Sequence, residues 1–422
     1  MDDAVTQVET PGGVEIAIRG TVEPGYEGVR DAFASNFAEH GEVGAGFSLV
    51  VDGRTVVDLR GGVADATTGA AYTDDTLQLV FSTTKGATAL CANLLAQRGE
   101  LDVDAPVATY WPEFAQGGKG DVPVRWLLSH KAGLPYIDAQ VELEDLLAWH
   151  PAVEALAAMT PLWEPGTTHG YHAVTYGWLV GEVVRRITGK SLGTFFADEV
   201  ADPLGLEFWI GLPDEQQARV APLTNRGLPR PGAAKHPAVE SEEPFEDLVT
   251  TVEKLLGPGS MLVKALGGAV SMPFVVEGAF NRHDVRAAEL PAANGVTNAR
   301  SLARMYAATI GPVDGASTGP LLTSEQVAAA STTQTSGADS CLVFETTFGL
   351  GYMTASPFSP YGSARSFGHA GAGGSVGFAD PENGLGFGYV MNRMLANLSG
   401  DPRSQGLVRA VYDAVGVTPT YA

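Results

Sequence analysis

Two hairpin patterns near opposite ends of this 422-residue chain constrain its fold more than any other feature. Phe47-Ser48-Leu49-Val50-Val51 leads through Asp52-Gly53, a pair suited to left-handed backbone, into Thr55-Val56-Val57-Asp58-Leu59. Far downstream, Gly374-Ser375-Val376-Gly377-Phe378-Ala379 runs into the turn Asp380-Pro381-Glu382-Asn383-Gly384, and Leu385 to Met391 returns. The sequence between them reads differently. Ala87, Leu90, Cys91, Leu94 and Leu95 form one helical stripe before Gly99. Tyr176, Leu179, Val180, Val183, Val184 and Ile187 form another, ended by Thr188-Gly189. A terminal helix opens at Asp401-Pro402, with Leu407, Val408, Val411, Tyr412 and Val415 as its apolar face and Gly416 as its stop. Strands at both ends with helices between predict an α/β (α+β) chain. Its antiparallel sheet is built from both termini and flanked by helices, and a mostly helical domain is inserted. Residues 1–80 and 295–422 are assigned to the discontinuous sheet domain and 81–294 to the helical one, with the functional cleft between them.

Composition narrows the partners. Hydrophobic residues make up 45% of the chain and charged residues 18%, as in an ordinary globular protein. The formal charge of −23 argues against nucleic acid, anionic membrane surfaces and polyanionic substrates. No apolar run reaches transmembrane length, and the start Met1-Asp2-Asp3-Ala4 carries no secretory pattern. A cytoplasmic placement follows as the expectation. Cys91 and Cys341 are too few for a disulfide framework and are read as reduced core residues. Asn225 to Lys235, rich in Pro, Gly and Ala, reads as a long loop, and Glu240 to Leu256 as acidic and weakly periodic. Acidic patches such as Glu240-Ser241-Glu242-Glu243 read as solvated surface. Oligomeric state is open, and a homo-oligomer is compatible with the sequence.

Three clusters carry chemistry. Ser82-Thr83-Thr84-Lys85, after the apolar run Leu77-Gln78-Leu79-Val80-Phe81, is the chain's only SxxK. At a helix start, its serine and lysine share a face one turn apart, beside unsatisfied N–H groups that stabilise an oxyanion. A lysine buried among apolar neighbours loses proton affinity and becomes a base. Tyr171 lies in the Gly- and Pro-bounded loop Glu164 to Ala173 at the entrance of the second helix, where a lysine ammonium nearby favours the phenolate. Gly368-His369-Ala370-Gly371-Ala372-Gly373-Gly374 lets a substrate approach an edge strand closely.

SxxK, a mid-chain tyrosine motif and a late [KH]xG triad, in this order, resemble the serine β-lactamase and penicillin-binding protein superfamily. The chain is most similar to its family VIII carboxylesterases, the branch akin to class C β-lactamases. Trp126 to Leu134, Pro165-Gly166-Thr167, Asn294-Gly295-Val296 and Gly368 to Arg393 support the likeness, which spans about Gly46 to Asn392. The resemblance implies a β-lactamase-like fold and a serine carboxylesterase acting on short-chain or small aryl esters without metal or organic cofactor. Ser82 would be the acylated nucleophile, Lys85 the centre of a proton-sharing network and Tyr171 the general base. The N–H groups of Ser82 and Ala372 would form the oxyanion hole, next to His369 and Gly371. Two departures from the lactamase pattern favour neutral esters. Ala173 replaces an amide side chain, and His369-Ala370-Gly371 replaces Lys-Thr-Gly, removing a fixed cation and a hydroxyl. A β-lactamase, a D-amino-acid amidase or peptidase, and a non-catalytic penicillin-recognising protein remain as alternatives.

Other features are given blander readings. Gly315 to Gly319 and Gly373 to Gly377 match GxSxG but lack the strand–turn–helix context of a nucleophile elbow. His169 and His172 lack a third ligand nearby, so no metal site is expected and both are taken as pocket histidines. His130 is expected to make a structural hydrogen bond beside the cleft. Tyr136, Trp163 and His172 are candidates for the pocket lining, and Trp178 is weighed with them against an ordinary core position.

Overall fold

In the computed structural model, which describes residues 4–139, 141–228, 254, 257, 259–267, 278–317 and 319–422, both terminal hairpins form. From the N-terminal part come β1 (Ala4–Glu9), β2 (Glu15–Val22), β3 (Gly44–Val51), β4 (Arg54–Asp65) and the short β5 (Ala70–Ala71). Three two-residue strands, β6 (Gln78–Leu79), β7 (Phe208–Trp209) and β8 (Val296–Thr297), make a separate small sheet with β8 in the middle. The C-terminal part adds β9 (Thr335–Ala338), β10 (Glu345–Phe348), β11 (Met353–Thr354), β12 (Phe367–Ala370), β13 (Val376–Asp380) and β14 (Leu385–Met391). Among the described residues the main sheet runs β1-β2-β4-β3-β14-β13-β12-β11-β10-β9, with β5 on β4. Every pairing is antiparallel. The two hairpins meet where Phe47 faces Tyr389 and Leu49 faces Phe387. Asp52 (φ 47°) and Gly53 (φ 80°) adopt the left-handed turn their sequence suggested.

Each face of this sheet is covered for a stated reason. Gly386 and Gly388 present backbone to the Ala299–Ile310 helix so closely that an added Cβ would lie 2.4 Å from the Ala303 carbonyl oxygen or 2.5 Å from that of Ala299. Glycine there allows the helix to dock on the sheet. The alternating residues Phe387 and Tyr389 point to the opposite face. There the C-terminal helix Pro402–Val415, capped by the Asp401 carboxylate and stopped at Gly416 (φ 73°), packs beside the Glu27–Glu39 helix.

That face buries an ion cluster the sequence did not advertise. Arg403 is fully buried, and its five N–H donors are all matched. Asp401 takes Nε and one Nη2 hydrogen at 3.0 and 2.9 Å, and Glu42 and the Arg393 carbonyl take Nη1 at 3.0 and 2.9 Å. The Gly373 carbonyl takes the last at 2.6 Å. Burial raises the Glu42 carboxyl above the usual range, while the Tyr389 hydroxyl donates to it. Removing the guanidinium would strand two buried carboxylates. Arg403→Ala is therefore expected to cost about 3–5 kcal/mol of stability, read by urea unfolding. A loss under 1 kcal/mol would show that the cluster is dispensable.

The Thr84–Gln97 helix departs from an amphipathic expectation. Its predicted stripe is buried, but so are Thr84, Lys85, Gly86, Thr88, Ala89, Ala92 and Asn93 on its other sides. A helix apolar or buried all round lies inside the molecule rather than on its surface. It contacts β12 on one side and the Thr175–Thr188 helix on another. No helix among the described residues is long and apolar enough to cross a membrane. The predicted loop from Asn225 to Lys235 is described only as far as Leu228. The acidic run Glu240-Ser241-Glu242-Glu243 lies outside the described residues.

Candidate active site

The chain enters the site through a strained turn. The Val80 N–H bonds the Gly295 carbonyl at 2.9 Å, and Phe81 then adopts φ 45°, a conformation that costs a bulky residue of order 1–3 kcal/mol. An edge-to-face contact with Phe280, 4.8 Å between centroids, holds the ring. The reversal puts Ser82 in the single 3₁₀ turn Phe81–Thr83, just before the long helix begins at Thr84. Ser82 remains half-buried, and its N–H makes no hydrogen bond among the described residues.

Lys85 sits one turn on, fully buried. Its Nζ lies 3.1 Å from Ser82 Oγ, 2.6 Å from the Ala173 carbonyl and 2.9 Å from the Ala292 carbonyl. Burial without a carboxylate partner pushes its pKa far below the ordinary lysine range. A neutral amine has two hydrogens and one lone pair. Once deprotonated, Lys85 keeps two hydrogens for the carbonyls and turns its lone pair to the serine hydroxyl. Asn294 keeps one of those carbonyls in place: it accepts the Leu290 N–H at 2.9 Å and donates to Val285 at 2.8 Å, bracing the turn that carries Ala292.

Tyr171 is brought to the same point. Its ring lies 4.9 Å from Lys85 Nζ, and Ser82 is close enough to its phenol to favour the ionised form. Burial raises the phenol above its ordinary pKa despite the Ser82 contact. This departs from the sequence-based expectation that a lysine ammonium would stabilise a phenolate, because burial raises the phenol and depresses the lysine together. Histidines pack behind the ring. His130 (φ 61°) accepts the His172 N–H at 3.1 Å on Nδ1, and its ring centroid is 5.0 Å from that of Tyr171. His369, on β12, has its ring centroid 6.0 Å from Tyr171 and donates Nδ1–H to the Ala370 carbonyl at 2.7 Å. Burial, reinforced by Lys85, lowers its pKa to about 3, so it is neutral at physiological pH.

The strand beyond His369 is stitched to the serine turn. Ser375 donates to the Val80 carbonyl at 2.8 Å and takes the Thr83 hydroxyl at 3.1 Å, while the Gly371 N–H bonds the Ser375 carbonyl at 2.7 Å. A Cβ on Gly371 would fall 2.2 Å from the Val80 carbonyl oxygen, so only glycine permits this approach. Next to it, half-buried Ala372 carries an N–H with no hydrogen bond among the described residues. Ser375, one of the two GxSxG serines, thus has its hydroxyl committed to structure. The other, Ser317, lies in an exposed loop.

The lining candidates divide. Tyr136 is buried beneath the Lys264 ammonium, 5.3 Å from its ring centroid, and Trp163 is half-buried with its ring centroid 6.2 Å from that of His172. His172 does not line an open pocket. It is fully buried, donates Nδ1–H to Gly170 at 2.6 Å and accepts the Leu134 N–H on Nε2 at 3.0 Å, which makes it a backbone brace. Among the described residues no group of three or more His, Cys, Asp or Glu side chains is arranged to hold a metal. Three residues that bear on the site escaped sequence reasoning: Ser375, set aside as an elbow serine, Arg403, which grips the Gly373 carbonyl, and Asp339, which bonds the Tyr171 N–H at 3.0 Å. A lone Asp or Arg outside any motif gives no sequence signal of this kind.

The beta-lactamase family model matches residues 29–410. Esterase/beta-lactamase LipL of Mycobacterium tuberculosis is 34% identical over 385 residues, covering 90% of this chain and 84% of that protein. The crystal structure of a family VIII carboxylesterase superposes with a TM-score of 0.82 at 38% identity, covering 94% of this chain and 99% of the other. A penicillin-binding protein homolog from Caulobacter crescentus reaches a TM-score of 0.79, also at 38% identity, over 94% and 99% of the two chains.

Proposed function

The chain belongs to the beta-lactamase family, and from that premise we propose that it is a serine carboxylesterase hydrolysing short-chain or small aryl esters through an acyl-enzyme on Ser82. The observation that carries the assignment of roles is the position of Lys85. Its neutral Nζ, with both hydrogens engaged by carbonyls, accepts the Ser82 proton as Oγ attacks the ester carbonyl carbon. The unpaired N–H groups of Ser82 and Ala372 receive the oxyanion. As the tetrahedral species collapses, the proton passes from Lys85 through the Tyr171 phenol to the departing alkoxide oxygen. Water then repeats the sequence on the acyl-enzyme and returns the proton to Ser82. Tyr171 acts here as a protonated relay rather than a standing phenolate, in keeping with its raised pKa. The chain supplies the base, the relay and the oxyanion donors, so this reading requires no metal or organic cofactor.

Substrate class follows from two side chains. A neutral His369 offers no fixed cation to a carboxylate, and Ala173 contributes a carbonyl to Lys85 but no side-chain amide. Neutral esters are favoured over anionic lactams. We also place the site between a sheet domain (1–80, 295–422) and a helical domain (81–294), and the protein in the cytoplasm. The test is one assay with 4-nitrophenyl acetate, nitrocefin and a D-alanyl amide, alongside fluorophosphonate labelling. Ester turnover is expected to exceed nitrocefin turnover by at least about 10²-fold in kcat/KM. Preferred turnover of nitrocefin or the amide would reassign the enzyme within its family. Absence of labelling would identify a non-catalytic binding protein.

A further inference from the structure

The β9–β10 hairpin belongs to the sheet, yet its turn reaches the loop that carries Tyr171. At the start of that turn Asp339 has a fully buried side chain. Its Oδ1 accepts three backbone N–H groups, from Tyr171 at 3.0 Å, Cys341 at 2.8 Å and Leu342 at 2.9 Å. Its Oδ2 accepts the Thr346 hydroxyl at 3.0 Å. The Thr346 oxygen lies 3.0 Å from His169 Nε2, which is itself 3.8 Å from Oδ2. Two further contacts close the join: the Ser340 N–H to the His169 carbonyl at 2.9 Å, and the Thr168 hydroxyl to that of Ser340 at 3.2 Å. The same hairpin supplies Phe348, whose ring stacks on Tyr171 with 6.0 Å between centroids and 10° between planes. A single carboxylate therefore shapes the 339–342 turn and fixes the backbone of Tyr171, while its neighbour in the hairpin fixes the ring.

We propose that Asp339 is the positioning residue for Tyr171, a latch from the sheet that holds the phenol at Ser82. The proposal rests on reading Tyr171 as the proton relay. Two independent attachments set the phenol's position, its backbone N–H on Asp339 and its ring on Phe348. Without the first, the Gly170-Tyr171 segment loses its fixed register against the turn, and the hydroxyl leaves the line between Lys85 and the leaving group. A displacement of about 1 Å at such a point costs on the order of 10²-fold in rate. Substrate binding does not use the latch, so KM should move little.

The test is a double-mutant cycle in the full-length protein with 4-nitrophenyl acetate. Asp339→Ala is expected to lower kcat by about 10²-fold in the native background and by less than about threefold when Tyr171 is already phenylalanine. A role confined to general stability would lower both equally, and equal losses overturn the proposal. Asp339→Asn keeps an acceptor for the three N–H groups and should recover most of the activity. Failure of the asparagine to recover it, with unfolding unchanged, also counts against the latch. Asp339→Ser is carried through the same cycle, so a folding failure of the alanine variant leaves the comparison intact. Fluorophosphonate labelling of Ser82 reports separately on the hydrolase reading. If labelling is intact and Tyr171→Phe slow but losses are additive, only the latch fails; a fully active Tyr171→Phe overturns both the relay and the latch.

Discussion

Ser82→Ala is expected to abolish ester hydrolysis, lowering kcat by about 10⁴- to 10⁶-fold, with the thermal transition left where it is in the native protein. The size of the loss follows from the lack of a substitute. Thr83 and Thr84 flank the serine, but the Thr83 hydroxyl is bonded to Ser375. That of Thr84 donates to the Phe81 carbonyl at 2.5 Å and accepts the Gly295 N–H at 2.8 Å. Neither can turn to Lys85 without breaking the turn that builds the site. The thermal effect is small because Ser82 is half-buried and its side chain's hydrogen bond is to Lys85. Steady-state rates, with mass spectrometry of the fluorophosphonate adduct, give the readout. Ser317→Ala, in an exposed loop, should leave both unchanged. Residual turnover above about 1% in Ser82→Ala, free of wild-type contamination, would place the nucleophile elsewhere.

What the sequence disclosed and what it hid divide by range. The first hairpin, the Thr175–Thr188 helix and the C-terminal helix have local signatures: Asp52-Gly53, the Asp401 cap, and the glycines at 189 and 416. Strands β9 to β12 have weaker ones. Thr335-Ser336-Gly337-Ala338 shows no apolar alternation, because its pairing with β10 and not its own side chains makes it a strand. The same limit applies inside the site. Ser82, Lys85 and Tyr171 stand in recognisable phrases, but the groups that tune them are backbone carbonyls. Ala173 and Ala292 act through oxygens every residue possesses, and only tertiary packing reveals that both aim at one amine. The direction of the Tyr171 pKa was misjudged for a related reason. The expectation set an ammonium beside the phenol, whereas complete burial without a counter-charge depresses the lysine and raises the phenol.

Lys85→Met carries the second large effect and tests that point directly. With no lone pair beside Ser82, the hydroxyl must attack unassisted, and kcat/KM should fall by about 10³- to 10⁴-fold. Methionine fills a similar volume and removes a desolvated amine, but it leaves the Ala173 and Ala292 carbonyls without donors, about 1–3 kcal/mol each. The fold should therefore persist with reduced stability, and circular dichroism checks that it does. The pH dependence supplies the sign. Lys85 can accept the serine proton only when neutral, and burial depresses its folded pKa. Activity is therefore full above that depressed value and falls as pH drops through it, on an acid limb well below the ordinary lysine range. Stability follows the same direction: between the depressed folded pKa and the unfolded value near 10.5, the unfolded chain binds the extra proton, so folding strengthens as pH rises. His369 titrates at about 3 and lies too low to produce a limb near neutrality. A kcat/KM profile that climbs only above pH 9 would mean the amine is charged in the resting enzyme, and Lys85 would then be an electrostatic anchor rather than the base.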